Sequence, residues 1–219
     1  YPPAQWKPAS SASAKKAAGP AEEFRPSEML RTHQWFLIYF CFSFTVSIVL
    51  MFGAQMKMLA KEYRLPQDYF NVLLVLFPLG NGLSRVVAGA VSDWWGREKT
   101  MMVFYGLLAL AVLLLLKFGG HPAAFVSLVF IAALLGGAPF ALYPATVGDY
   151  YGARYSTVNY GITYTAKAWA GFISGWLSGY FVTQSGSYRT PLILIAVCSL
   201  IAAVVSSPRL MKAPTRKQA

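Results

Sequence analysis

Residues 81–100 read NGLSRVVAGAVSDWWGREKT. Up to Val91 this is the end of a long apolar run, and a second run, MMVFYGLLALAVLLLL, opens at Met101. The charged turn between them has a mechanical meaning in the pattern Gly89, Asp93, Gly96, Arg97, Lys99. Asp93 ends one helix close to the positive start of the next. Gly96 has no Cβ and permits a tight turn. Arg97 and Lys99 fix that end on one side of whatever the apolar runs are buried in. One charge, Arg85, is inside the run rather than at its edge.

Working outward, the same alternation of apolar run and polar turn covers most of the chain. Six stretches are each long enough to cross a bilayer as a helix: Trp35–Leu59, Tyr69–Val91, Met101–Leu116, Ala124–Val147, Val158–Val182 and Pro191–Ser206. With 56% hydrophobic and 12% charged residues in 219, the composition excludes one soluble domain and predicts an all-α, polytopic membrane protein with the bilayer as its partner. The organisation expected is a flexible segment over 1–33, a six-helix bundle over 34–207 and a tail over 208–219. Tyr1 stands where a complete chain would have methionine, so a fragment or processed product is expected, and the polar N-terminal stretch has no signal-peptide pattern. Cys41 and Cys198 both lie in apolar runs and are expected to be reduced and buried.

The net charge of +11 raises the question of nucleic acid. Position answers it, because the basic residues cluster outside the apolar runs. One side takes Lys7, Lys15, Lys16, Arg25, Arg31, Arg97, Lys99, Arg154, Arg209, Lys212, Arg216 and Lys217; the other takes Lys57, Lys61, Arg64, Lys117 and Arg189. The bias places both ends of the chain in the cytoplasm, in a cell membrane.

Arg85 and Lys167 remain, both inside spans. A charge at mid-membrane costs roughly 2.5–3.5 kcal/mol on insertion scales. Lys167 lies ten residues beyond Thr157, roughly 15 Å of helix, too far for the side chain to reach the interface. Arg85 lies eight residues before Asp93, roughly 12 Å from the same side. Two cations at similar depth on different helices make a shared site possible. Helical spacing puts Tyr160, Thr163, Tyr164, Ala170, Gly171 and Ser174 on the face of Lys167, and Pro78, Asn81, Gly82, Ala88 and Gly89 on that of Arg85, which suggests a polar cavity. Trp169 and Trp176 point elsewhere. The third and sixth spans carry almost nothing polar and are expected to face lipid.

In the fourth span Gly136, Gly137, Pro139 and Pro144 allow a kink or a close helix approach. Phe140 and Tyr143 would then wall the cavity, or serve as ordinary packing. Trp35, Tyr69, Tyr150 and Tyr151 suit an interfacial belt. Gly171, Gly175 and Gly179 suit close helix packing. None of the eight acidic residues falls inside a span. The counter-ion for Arg85 and Lys167 is therefore either a carboxylate from another segment or the substrate itself, and the fork of an arginine beside the compact charge of a lysine favours the substrate.

The charged turn resembles the loop repeated in each half of major facilitator superfamily transporters. Trp94 stands where that loop commonly has an arginine or lysine, so one charge of its gating network is absent. The resemblance implies the C-terminal half of a twelve-helix fold, preceded by part of the central loop, with the N-terminal half missing from this chain. NYGITYTAKA (159–168) together with NGLSRVVAGAVSD (81–93) is similar to the oxalate/formate antiporter family. That resemblance implies roles for Arg85 and Lys167 in binding a dicarboxylate. Asn81, Phe140, Tyr143 and Tyr164 complete the expected binding set, and Gly89, Asp93, Gly96, Arg97 and Lys99 the gating loop.

The expectation is half of a secondary carrier for a small organic anion, working by alternating-access exchange. A proton-coupled monocarboxylate carrier would need a titratable carboxylate that this half does not bury. A receptor or assembly subunit would explain the spans but not paired cations. An enzyme is not expected, nor any cofactor or metal. His33 and His121 lie at span edges, with no buried acid, nucleophile–base pair or ligand cluster beside them.

Overall fold

The computed structural model describes residues 22–215. The expectations for residues 1–21, with Lys7, Lys15 and Lys16, and for Arg216 and Lys217 lie outside the described residues.

Helix α1 is a single turn, Pro26–Met29. Helix α2, His33–Glu62, opens at Thr32, whose hydroxyl accepts from the Trp35 amide. Helix α3, Gln67–Trp95, ends at Gly96, whose φ of +90° lets α4, Arg97–Phe118, begin on the next residue. A side chain at that φ would be strained, so glycine is required there. The fourth expected span is two helices, α5 (Pro122–Gly136) and α6 (Pro139–Tyr151). Pro139 has no amide hydrogen for the ladder and its ring would crowd the carbonyl of the preceding turn, which explains the break.

The fifth expected span is more interrupted. It runs through α7 (Ser156–Tyr164), α8 (Ala166–Phe172), a π-helical turn (Ile173–Leu177) and α9 (Ser178–Ser185). The π turn leaves the Ser174 carbonyl off the regular ladder, and Gln55 Nε2 donates to it at 2.6 Å. Helix α10, Arg189–Val205, closes the chain.

Among the described residues, four helical stretches are long and apolar enough to cross a bilayer: α2, α3, α4 and the α5–α6 pair. Helix α10 is apolar but shorter, and no single piece of the fifth stretch reaches that length. Helix α2 lies at the centre, burying Phe42, Val46, Ile48, Met51 and Phe52 against α5, α8 and α10. Helix α3 packs on α5 and α6, and α4 packs on α5 and α10. The outer faces of α4 and α10 expose Leu107, Leu110, Leu113, Val197, Leu200 and Ile201, as suits helices beside lipid.

Residues 22–33 depart from the flexible segment expected there. Phe24 and Met29 are fully buried, and the Phe24 amide donates to the Tyr151 carbonyl at 3.0 Å. Two apolar side chains with a ready cover and paired backbone hold this stretch against the bundle.

Gly137 sets how closely α3 approaches the α5–α6 break. A Cβ there would meet Ser84 Oγ and fall 2.5 Å from Asn81 Oδ1 and 3.0 Å from the Asn81 carbonyl oxygen. Backbone cannot yield without moving α3. Gly137→Ala should therefore destabilise the protein by about 1–3 kcal/mol, seen as an earlier unfolding midpoint in detergent. Gly148→Ala, whose Cβ would meet nothing within 4 Å, should unfold with the wild type.

Candidate functional site

The α5–α6 break aims Phe140, at the start of α6, toward the gap between α3 and α8. Arg85 from α3 places its guanidinium carbon 5.3 Å from the centroid of that ring. Lys167 from α8 places Nζ 5.8 Å from the same centroid. The ammonium also lies 5.4 Å from the Tyr164 ring and donates to the Tyr164 hydroxyl at 3.2 Å. Four of the expected residues, Arg85, Lys167, Phe140 and Tyr164, thus meet around one aromatic ring. Neither cation is buried within the bundle: Arg85 is exposed and Lys167 half-buried, both on its open face.

The aromatic contacts compensate only part of the charge. A cation over a ring contributes about 0.5–2 kcal/mol, less than the roughly 2.5–3.5 kcal/mol that a charge costs at mid-membrane. Among the described residues, Arg97 pairs with Asp93 and with Asp149, while no described carboxylate pairs with Arg85 or Lys167. An anion entering between the two cations would meet both.

Tyr143 is not on this face. It is fully buried, with its ring 4.7 Å from Phe42 and 6.4 Å from Tyr105. The alternative of ordinary packing is the one found, because Tyr143 lies three residues on from Phe140 in α6 and turns into the core. Asn81 is half-buried, and its Oδ1 is buried beside Gly137 rather than offered to the open face. Phe42 is the residue that sequence reasoning missed. It backs both Phe140 and Tyr164, each with centroids 6.0 Å away, and nothing in FLIYFCFSF marks one phenylalanine out for that place.

The expected polar stripe on the fifth stretch divides. Thr163, Ala170 and Ser174 are buried, and Trp35 Nε1 donates to Thr163 Oγ1 at 3.1 Å, so these residues form the seam with α2. Small side chains allow that close approach. Tyr164 and Gly171 remain on the exposed side. A Cβ at Gly171, Gly175 or Gly179 would meet nothing within 4 Å, so these glycines pack no helix here, contrary to expectation. Trp169 and Trp176 are 57% and 61% exposed, away from the bundle as expected. On α3, Ala88 is buried while Gly82 and Gly89 face open space.

At the end of the bundle near residues 22–32 and 208–215, the charged turn is knit together. Arg97 Nη1 meets Asp93 Oδ1 at 2.9 Å and also Ser92 Oγ, while Arg97 Nε meets Asp149 Oδ2 at 3.1 Å. One guanidinium thus ties α3 and α4 to the end of α6. Gly96 makes the turn, Lys99 is exposed, and Asp149 is a partner that the loop pattern did not contain. Tyr150 and Tyr151 are not belt residues. The Tyr150 hydroxyl donates to Glu98 Oε1 at 2.6 Å, and the Tyr151 hydroxyl lies 2.9 Å from Thr32 Oγ1.

A helical bundle with several helices long and apolar enough to cross a bilayer is that of a multi-pass membrane protein. The chain belongs to the Major Facilitator Superfamily, whose family model matches residues 35–219. It is 32% identical over 201 residues to an oxalate:formate antiporter of Oxalobacter formigenes, covering 90% of this chain and 47% of that protein. It is also 32% identical over 146 residues to an uncharacterized 38 kDa protein in a 23S RNA operon of Thermoproteus tenax, covering 65% of this chain and 37% of that protein. The chain spans about half the length, or less, of these curated relatives.

Proposed function

We propose that this chain is the C-terminal, six-span half of a twelve-helix carrier that exchanges small organic carboxylates, with oxalate and formate as the leading substrates. The observation that carries the reading is the placement of Arg85 and Lys167 around Phe140, with no carboxylate among the described residues paired to either. The substrate anion supplies the missing charge. Arg85 takes a carboxylate in bidentate fashion, Lys167 takes the second carboxylate of a dianion or a second monoanion, and Phe140 and Tyr164 bound the site. Asn81 and Tyr143 support it from behind, through the α5–α6 break and Phe42. Residues 34–207 form the bundle, 208–219 the tail, and the basic residues place both ends in the cytoplasm. Gly89, Asp93, Gly96, Arg97 and Lys99 form a gate at that end, held shut through Asp149.

Exchange follows from charge. An empty site with two uncompensated cations resists the closed state through which the carrier must pass, and a bound dianion removes that obstacle. The likeness to an oxalate:formate antiporter points to the same chemistry. Uptake of labelled oxalate and formate into vesicles holding the intact protein tests it. Vesicles preloaded with either anion should fill much faster than empty ones, and the 219-residue chain alone should be silent. Fast uptake into anion-free vesicles driven by a pH gradient would contradict exchange and favour proton symport. Uptake no faster than in protein-free vesicles would contradict transport of these anions.

A further inference from the structure

Residues 23–32 hold together α6 and α7, the helices that carry Phe140 and Tyr164. Phe24 is fully buried against the end of α6, with its ring edge-on to Tyr151 at 5.6 Å. Its amide donates to the Tyr151 carbonyl at 3.0 Å, and its own carbonyl accepts from Asn159 Nδ2 on α7 at 3.1 Å. The Glu23 carboxylate accepts from the Arg154 amide at 2.9 Å, within the loop that joins α6 to α7. Gly152 leaves room for it, since a Cβ there would fall 2.5 Å from Glu23 Oε2, and its φ of +83° favours glycine in any case. Thr32 adds the contact to the Tyr151 hydroxyl at 2.9 Å. One short stretch therefore grips the last residue of α6, the connecting loop and the first turn of α7.

Helix α6 carries Phe140 at its far end. Helix α7 ends in Tyr164 and is followed after one residue by α8, which carries Lys167. Lys167 follows α7 through Thr165, while the seam between α2 and α8 holds it from the other side.

We propose that Glu23 and Phe24 form a clasp that positions Lys167 against Arg85 and so sets the preference of the carrier for dianions over monoanions. This rests on the reading that the two cations hold a carboxylate substrate. A dianion must satisfy both cations at one separation, whereas a monoanion needs only one. At an effective dielectric of about 20, drawing one contact from about 4 to about 6 Å weakens it by about a third, enough to lower affinity about tenfold. Loosening the clasp should therefore cost dianion affinity selectively. Glu23 and Phe24 act through other residues and touch no substrate.

The test uses the intact protein with Phe24→Ala, Glu23→Ala and Phe24→Leu, measuring equilibrium binding of labelled oxalate and formate and backbone hydrogen exchange. Phe24→Ala should lower the oxalate-to-formate affinity ratio about tenfold and speed exchange in α7 at least about tenfold, with α4 unchanged. Phe24→Leu, which refills the buried site, should restore most of both. If Phe24→Ala does not fold, Glu23→Ala, at an exposed side chain, carries the same expectation at smaller amplitude. An unchanged affinity ratio in a folded variant whose α7 exchange has risen would overturn the positioning role. Unchanged α7 exchange would overturn the clasp itself. Wild-type protein that binds neither anion would overturn the carboxylate reading and this inference with it, and the wild-type arm separates that outcome from failure of the clasp.

Discussion

Replacing Arg85 with lysine is expected to lower oxalate transport about tenfold to a hundredfold although the charge is kept. The guanidinium lies 5.3 Å from the centroid of Phe140, the ring that Lys167 also approaches. Lysine offers a point charge with no fork, so one of two charge-assisted hydrogen bonds to a carboxylate is lost. Such a bond contributes about 1.5–3 kcal/mol, and each 1.4 kcal/mol is a factor of about ten. Initial rates of oxalate counterflow, normalised to protein in the membrane, measure this. Normal transport by Arg85→Lys would show that the arginine does not grip the substrate.

Lys167→Gln is expected to separate dianions from monoanions. Its ammonium has Tyr164 and Phe140 beside it but, among the described residues, no carboxylate, so its charge is available to the substrate. Truncating one partner of a hydrogen-bonded charge pair costs about 2–5 kcal/mol, so oxalate affinity should fall at least about thirtyfold. Formate, which Arg85 can hold alone, should lose less than about tenfold. Competition binding with the two anions on one preparation checks the contrast. Equal losses for both would point to a general structural role for the lysine, and no loss for oxalate would remove it from the site.

What was legible in the sequence is whatever had a single physical cause. Gly96 was read as permitting a tight turn, and it makes the turn between α3 and α4. Gly136, Gly137, Pro139 and Pro144 allowed a kink or a close helix approach in the fourth span, and the helix does break before Pro139, next to Phe140. Arg85 and Lys167 stood out because a charge within an apolar run needs a reason, and both occupy one open face. Residues with two possible causes were not legible. Thr163, Ala170 and Ser174 suit a polar cavity or a close helix seam equally well, because small side chains serve both, and they form the seam with α2. Tyr150 and Tyr151 look like interfacial aromatics until Glu98 and Thr32 are placed beside their hydroxyls. Tyr143 and Phe140 share one helix only three residues apart, and only the position of Phe42 sorts core from site. The π turn at Ile173–Leu177 depends on Gln55 from a helix more than a hundred residues earlier, a partner that local spacing does not reveal.

The pairing of Arg85 with Lys167 around one anion is tested most directly by equilibrium binding of labelled oxalate to the purified intact protein, beside the double variant Arg85→Gln/Lys167→Gln. The wild type should saturate at one oxalate per protein, and the folded double variant should bind none at concentrations that saturate the wild type. Oxalate binding by the double variant with wild-type affinity would contradict the account.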